Sequence, residues 1–517
     1  MLDASSSDAP AGVLADPLPG VEALYTAAAT RALDAAAIEG HGLPGIVLMR
    51  RAGSATFDVL QQRWPDAASL TILCGRGNNA GDGYVVAGLA ADRRLDVQLL
   101  QVGDAADLRG DAARARDWAL ERGVVIEAFG AGVDLRGDVI VDALLGTGLR
   151  GAVREAFVAA IDAIEAAGRP VLAVDLPSGL DADTGTILGR AVRADATVTF
   201  IGAKRGLLTG AGPDHAGAIA FDDLGVPVEV YTEVQAAHGA PTGLLRLGEG
   251  ACRLPPRRPA AHKGDFGHVL VVGGDEGTGG AVLLAAEAAL RAGAGLVSVA
   301  TRAAHVPALL ARTPEVMARA VDTRAELLAL LERASTVVLG PGLGTGPWGE
   351  QMLDAVLASA LPRVLDADAL NLLAAKGLST GDAPLVTTPH PGEAARLLGT
   401  DTAAVGADRF AALDGLRRRC GGTVLLKGAG TLVAGEDGVA LCAYGNPGMA
   451  SGGMGDVLAG VIGALLAQGL APEEAARLGA CLHGAAADLA AAEVGMPGLV
   501  AGDLAPRLAR LVALVSA

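Results

Sequence analysis

Asn446-Pro-Gly-Met-Ala-Ser-Gly-Gly-Met-Gly-Asp456 runs straight into Val457-Leu-Ala-Gly-Val-Ile-Gly-Ala-Leu-Leu466, an apolar stretch of helical length. Ser451 reads as the N-cap, which puts the glycines at a helix N-terminus with unpaired amides. Such an end attracts anions through free N–H groups and the helix dipole. A carboxylate there competes with a bound phosphate, so Asp456 makes sense only if it acts on something. By itself the stretch is equally a glycine-rich turn with an acidic first helical turn. Two other strand ends shift the balance. Gly422-Thr-Val-Leu-Leu-Lys427 is strand-like and leads into Lys427-Gly-Ala-Gly-Thr431, whose amides can approach phosphates, and Thr387-Thr-Pro-His-Pro-Gly-Glu393 ends another strand. The C-terminal half therefore reads as an α/β unit with its chemistry gathered at strand ends.

At 517 residues the chain suits two domains of about 200–280 residues. Hydrophobic residues make up 51% and aromatics only 3%, so the cores must be built from Ala, Val and Leu. A net charge of −17 argues against nucleic acid or an anionic membrane as partner. An anionic substrate must then be held by local amides and a few Lys or Arg. Five cysteines without a C-x-x-C pair read as a reduced cytosolic chain with no zinc site. The first basic residue is Arg31, so the start lacks a signal peptide's basic region. No apolar run approaches the roughly 18 residues of a membrane span. The expectation is a soluble cytoplasmic protein, assembled as a homo-oligomer.

Residues 1–20 are rich in Ser, Asp, Pro and Ala and read as loose, 21–38 as a helix, and Gly42-Leu-Pro-Gly-Ile46 as the start of another. Strands are expected at 70–74, 97–102, 124–129, 139–145, 171–176 and 197–201, with helices at 110–122 and 155–167 between them. That alternation implies a doubly wound parallel sheet with ligands at the carboxyl ends of its strands. Three of those ends carry polar motifs: Gly75-Arg-Gly-Asn-Asn-Ala-Gly-Asp-Gly83, read as a loop opening a helix at Tyr84; Asp142-Ala-Leu-Leu-Gly-Thr-Gly-Leu-Arg-Gly151; and Val174-Asp-Leu-Pro-Ser-Gly-Leu-Asp-Ala-Asp183. The second formally matches G-x-G-x-x-G, a weak signal without an acidic residue at ribose spacing. Asp175 closes a strand that Pro177 stops, a position often filled by a structural cap. Three such ends in one sheet favour a common site. Asn79, Asp142 and Ser178 offer amide, carboxylate and hydroxyl oxygens suited to a hard cation. The residues alone do not choose potassium over magnesium, or a metal over plain loop hydrogen bonds.

After Leu224-Gly-Val-Pro227 the rhythm lapses, and Pro255-Pro-Arg-Arg-Pro259 with His262-Lys-Gly-Asp-Phe-Gly267 reads as an exposed connector. The boundary is placed near 235. Strands resume at 269–272, 296–300, 336–339, 363–365, 385–388 and 424–427, with helices near 281–292, 453–470, 472–491 and from 502. Gly273-Gly-Asp-Glu-Gly-Thr-Gly-Gly280 opens the first of those helices, and Gly340-Pro-Gly-Leu-Gly344 follows another strand. No internal sequence repeat links the halves.

N-N-A-G-D-G at 78–83, V-D-A-L-L-G-T-G-L at 141–149 and V-D-L-P-S-G-L-D at 174–181, followed by Thr199-Phe-Ile-Gly-Ala-Lys204 and Gly210-Ala-Gly212, resemble the NAD(P)H-hydrate epimerase domain. Ala80 departs from the family's usual G-N-N-G-G-D and is tolerable where φ is negative. The resemblance implies a Rossmann-like domain over 1–235. Its substrate contacts would be Asn78, Asn79, Ala80, Gly81 and Asp82, with Gly146, Thr147, Gly148, Leu149, Arg150, Gly151 and Ala152. Asp175 would be the acid/base, and Asn79, Asp142 and Ser178 the ligands of potassium. The motifs of the second half resemble the ribokinase-like, ADP-dependent NAD(P)H-hydrate dehydratases, over 236–517. There the resemblance implies that Ala281, Gly344 and His390 contact the hydrated nucleotide. It assigns Lys427, Gly428, Ala429, Gly430, Thr431 and Gly455 to the AMP portion of Mg²⁺-ADP, and puts Asp456 at the reacting hydroxyl. A lone His such as His390 is more often structural.

The implied substrates are NADHX and NADPHX, the hydrated forms of NADH and NADPH. Hydroxide leaves a hydrated dihydronicotinamide ring poorly, whereas a phosphorylated oxygen leaves readily with a push from the ring nitrogen. Only one epimer suits a stereospecific elimination, so a fused epimerase is chemically coherent. The rival reading is a ribokinase-like kinase of a hydroxyalkyl heterocycle carrying a non-catalytic nucleotide-binding module.

Overall fold

The computed structural model describes residues 18–130, 132–248 and 253–516; most of the segment expected to be loose, residues 1–17, lies outside them. The described chain divides into two compact units, Leu18–Thr242 and the residues from Gly243 on.

In the first unit seven parallel strands form one sheet. In chain order they are Ser69–Cys74, Asp96–Gln101, Ile126–Ala128, Val139–Ala143, Val171–Val174, Ala196–Phe200 and Ala218–Asp222. Their order in the sheet is third, second, first, fourth, fifth, sixth, seventh. Chain direction across the sheet thus reverses between the first and fourth strands, and a crevice opens there in doubly wound sheets. Alternate residues of each strand enter different cores: Leu70, Ile72, Val139 and Val141 join one cluster, Leu73 and Ile140 another. Both faces are therefore covered, which is why these strands read as continuous apolar runs.

Two expectations fail here. Residues 21–38 are not one helix but a strand, Ala23–Tyr25, then a helix, Ala27–Ala35, then a π turn, Ala36–Gly40. Tyr25 pairs in parallel register with Lys204, a long-range contact that overrides the local Ala-rich pattern. Nor does the rhythm lapse after 224, since a helix spans Val228–His238. The Pro-rich stretch is exposed as expected but tied down: Arg257 donates to Gly293 O at 2.6 Å, and Leu254 N to Val515 O at 2.9 Å.

The second unit repeats the arrangement. Its parallel strands are His268–Val272, Leu296–Thr301, Met317–Ala320, Thr336–Leu339, Arg363–Leu365, Leu385–Thr387 and Thr423–Leu426, again in the order third, second, first, fourth to seventh. An antiparallel hairpin unseen in the sequence, Thr431–Gly435 and Gly438–Cys442, extends the sheet. Low aromatic content is met by close helix packing. A Cβ on Gly460 of helix Met454–Ala467 would lie 2.1 Å from Ala285 O of helix Gly279–Arg291. Among the described residues no helix is long and apolar enough to cross a membrane, and the four described cysteines are buried and outside any disulfide.

Candidate active sites

The first site opens at the reversal of strand order. The helix after the first strand begins at Asn78, not at Tyr84, because Gly77 takes the extended N-cap position. Asn78, Asn79, Ala80, Gly81 and Asp82 therefore occupy helical turns, and Ala80 does not need a positive φ. Gly81 and Gly83 serve packing: a Cβ on them would lie 2.5 Å from Met49 Sδ and 2.6 Å from Ala143 Cβ.

A cavity of about 780 Å³ collects Asn78, Asn79 and Asp82 with Gly146, Thr147, Gly148, Leu149, Arg150, Ala152 and Asp175. Ala80 and Gly81 are buried behind it, while Gly151 lines a smaller neighbouring cavity. Asp175 sits at φ 67° directly after the fifth strand, and its N–H donates to Val198 O at 2.7 Å. Left-handed backbone costs a non-glycine residue about 1–2 kcal/mol, and Asp tolerates it better than most. That turn aims its carboxylate at Lys204, with which it forms an ion pair. Lys204 is 1% exposed and also donates to Thr199 Oγ1 (3.2 Å) and Phe200 O (3.1 Å). It was not singled out by sequence because nothing local links it to Asp175.

Asp34 and Asp82 line the same cavity. Burial pushes both carboxyls up, Asp82 far up, and the charge of Asp175 adds to it in each case. Three carboxyls thus crowd around one ammonium, an arrangement that favours a proton on Asp82 or Asp34.

Behind the cavity wall Asp142 and Ser178 are fully buried. Ser178 donates to Asp142 through Oγ (2.6 Å) and N (2.8 Å), and Ser178 Oγ accepts from Leu145 N at 2.8 Å. Burial raises Asp142 to about 6 despite these bonds. The Asn79 amide is buried with neither its N nor its O partnered among the described residues. An orphaned amide oxygen suits a hard cation, whereas the Asp142 and Ser178 oxygens are engaged with each other and with backbone amides.

The second site is built the same way. The loop over 273–280 and the loop over 340–344 are joined by Gly274 N to Pro341 O (3.0 Å) and Asp275 N to Gly342 O (2.7 Å). Gly344, at φ 70°, donates its N–H to Asp368 at 2.9 Å. Ala281 lies in the first turn of its helix, one turn before Leu284, which abuts Gly453. His390 caps helix Pro391–Leu398: its Nδ1 accepts from Gly392 N at 2.9 Å, while Glu393 reaches back to His390 N at 2.8 Å. Its role here is at least structural.

Asp366, which sequence reading passed over, is the hub. It follows the fifth strand as Asp175 does in the first unit, and is 1% exposed. Lys427 Nζ lies 2.8 Å from Asp366 Oδ1 and 3.8 Å from Glu393 Oε2, and Thr388 Oγ1 donates to the same Asp366 oxygen. Burial works against the Lys427 charge, yet Asp366, Glu393 and Asp456 raise its pKa overall. Buried Arg409, also missed, braces the loop after Lys427 by donating to Gly430 O at 3.0 Å and to the Leu426 and Lys427 carbonyls at 3.4 Å. Gly428, at φ 138°, leaves room for that guanidinium.

The turn before Asp456 differs from expectation in detail. Gly453, not Ser451, is the N-cap, at φ 92°, and the helix begins at Met454. Ser451 Oγ is buried with no partner among the described residues. The free first-turn amides are therefore those of Met454, Gly455 and Asp456, which retains Gly455 of the expected set and shifts the others off Gly452 and Gly453. Burial, then the charges of Asp366, Asp368 and Glu393, raise Asp456 to about 7 against the pull of Lys427, so the helix dipole does not dominate. Glu393 is likewise raised to about 7, mainly by burial. From helix Pro472–Val494, Asp488 anchors the start of the turn through Gly445 N (2.9 Å) and Asn446 Nδ2 (2.8 Å).

Gly455 has ordinary helical backbone, so φ is not what requires glycine. A Cβ there would lie 3.1 Å from Lys427 Nζ and 3.5 Å from Asp366 Oδ2. Gly455→Ala is expected to displace the Lys427 ammonium and raise the KM for nucleotide roughly 10-fold or more, read from initial rates against nucleotide concentration.

The family described as NAD(P)H-hydrate dehydratase matches residues 269–510, and the family described as YjeF-related protein N-terminus matches residues 45–206. The bifunctional NAD(P)H-hydrate repair enzyme Nnr of Coxiella burnetii is 46% identical over 490 residues, covering 95% of this chain and 99% of that protein. Its namesake from Escherichia coli is 46% identical over 481 residues, covering 91% and 90%. A crystal structure of ADP/ATP-dependent NAD(P)H-hydrate dehydratase from Bacillus subtilis, co-crystallized with ATP/Mg²⁺, is 30% identical with a TM-score of 0.47, covering 51% of this chain and 95% of that one. The chain belongs to the family of bifunctional NAD(P)H-hydrate repair enzymes, with an epimerase domain ahead of a dehydratase domain.

Proposed function

We propose that the first unit interconverts the R and S epimers of hydrated NADH and NADPH, and that the second phosphorylates the S epimer from ADP and eliminates phosphate. Support for the first step comes from Asp175, held by Lys204 in a cavity that also contains carboxyls pushed toward protonation. Epimerisation at the carbinolamine carbon needs a base for the hydroxyl proton and an acid for the ring nitrogen. Potassium, when bound by Asn79, Asp142 and Ser178, would supply fixed positive charge beside the substrate loops. Asn79 contributes an unpartnered amide oxygen to that set, and the Asp142–Ser178 bonds tie the ends of the fourth and fifth strands together.

In the second unit, Asp456 takes the proton of the substrate hydroxyl, whose oxygen bonds to the terminal phosphorus of ADP as AMP departs. Lys427 and the amides of Met454–Asp456 offset the charge of the moving phosphoryl group. Phosphate then leaves with the ring nitrogen's lone pair pushing, and a proton is lost from the neighbouring carbon, restoring the dihydronicotinamide. The observation that carries this reading is a carboxyl set to about 7 at a helix N-terminus beside the Lys427–Asp366 pair. Magnesium enters with the nucleotide phosphates, and self-assembly into a homo-oligomer is part of the same proposal.

The pH dependence follows. Asp456 must be ionised to act and its pKa is raised to about 7, so activity is present above that value and lost below it. Dehydratase kcat/KM is expected to fall about tenfold from pH 8 to pH 6, with Glu393 sharing the titration. A flat wild-type profile over that range would remove Asp456 from the role of base.

A further inference from the structure

Helix Ala27–Ala35, outside the residues matched by the epimerase family, lays Thr30, Arg31 and Asp34 along the larger cavity. Arg31 uses Nη1 to donate to Thr147 O at 2.9 Å, which seats it on the substrate loop. It is exposed and forms no ion pair among the described residues, so most of its five N–H donors remain available. Arg31 and Arg150 both line the larger cavity and its neighbour of about 350 Å³, which share Gly146, Thr147 and Leu149. By contrast Arg76, also in the larger cavity, is engaged by Asp107. Of the other charged groups at the seam, Asp183 accepts from Ala27 N and Asp181 accepts from Asp183 N and Thr184 N. The reacting end holds several carboxyls against one lysine, so it repels phosphate.

We propose that Arg31 is the anion clamp of the epimerase, holding the substrate's diphosphate across the 146–151 loop with Arg150 as its opposite jaw. The inference rests on the epimerase reading and adds the residue that recognises the dinucleotide. Residues three apart on a helix are neighbours, so Arg31 and Asp34 stand one turn apart on the cavity wall. A single ribose separates the ring from its 5′-phosphate in the substrate, a spacing of the same kind. A guanidinium also suits phosphate oxygens through paired donors.

The full-length protein is assayed for epimerisation of hydrated NADH and of hydrated dihydronicotinamide riboside, which has no phosphate. Arg31→Gln is expected to raise the KM for hydrated NADH roughly 10-fold or more with kcat little changed. The riboside's KM should not move, and Arg31→Lys should recover part of the loss. Added salt should raise the wild-type KM for hydrated NADH and raise that of Arg31→Gln less, because Arg150 remains. Equal losses on both substrates would overturn the clamp and make Arg31 a brace for Thr147, and an unchanged KM for hydrated NADH would overturn it outright. Wild-type protein unable to epimerise hydrated NADH would overturn the epimerase reading itself, and the clamp with it.

Discussion

Asp456→Asn is expected to lower dehydratase turnover by roughly 10²–10⁴-fold while leaving nucleotide affinity nearly intact. The amide is close to isosteric, so the free amides of the turn keep their places at the start of helix Met454–Ala467. What disappears is the group able to accept the hydroxyl proton near neutral pH. One carboxylate fewer around Lys427 also lessens repulsion toward the nucleotide, so nucleotide KM should hold or fall slightly. Single-turnover release of phosphate and NADH from the S epimer measures the effect. Release at near the wild-type rate would leave Asp456 a helix-start carboxylate and nothing more.

The second large effect belongs to the other unit. Asp175→Asn preserves the shape of the turn after the fifth strand, and Asn accepts left-handed backbone as readily as Asp. It removes the base and half of the buried Asp175–Lys204 pair. Epimerisation of the R form should fall roughly 10²–10⁴-fold, with dehydration of pre-formed S epimer unchanged. Lys204, 1% exposed and stripped of its counter-ion, is also expected to lower the melting temperature, because an uncompensated buried charge is costly. Activity and stability therefore need separate readouts. A variant that melts normally and epimerises normally would move the acid/base role to another carboxyl of the cavity, Asp82 or Asp34.

The sequence made the sheets legible because both faces of each are covered, leaving short unbroken apolar runs such as Val139–Ala143 and Thr336–Leu339. It also showed the strand ends, since Gly, Pro and Asp cluster where those runs stop. Hidden were the partnerships between ends. Asp175 meets Lys204 from 29 positions away and Asp366 meets Lys427 from 61, and no local pattern encodes either meeting. The identical strand order of the two units was invisible for the same reason: topology persists where sequence similarity does not. Ser451 misled because the N-cap was judged by side-chain chemistry, whereas Gly453 wins it through a left-handed φ that Ser would adopt only with strain. Residues 21–38 misled because three residues of strand, Ala23–Tyr25, pair with Ala203–Lys204 ahead of the Ala-rich run.

The central claim is that two sites in one chain return both epimers of a hydrated dinucleotide to its reduced form. Full-length protein is mixed with an equilibrated R and S pool of hydrated NADH, Mg²⁺ and excess ADP, and dihydronicotinamide absorbance is followed alongside AMP and phosphate. The account predicts complete recovery of the pool in wild type, with one AMP and one phosphate per NADH. With Asp175→Asn it predicts a fast phase confined to the S epimer. A phosphorylated organic product that accumulates while dihydronicotinamide absorbance stays flat would contradict it, and would make the second unit a kinase.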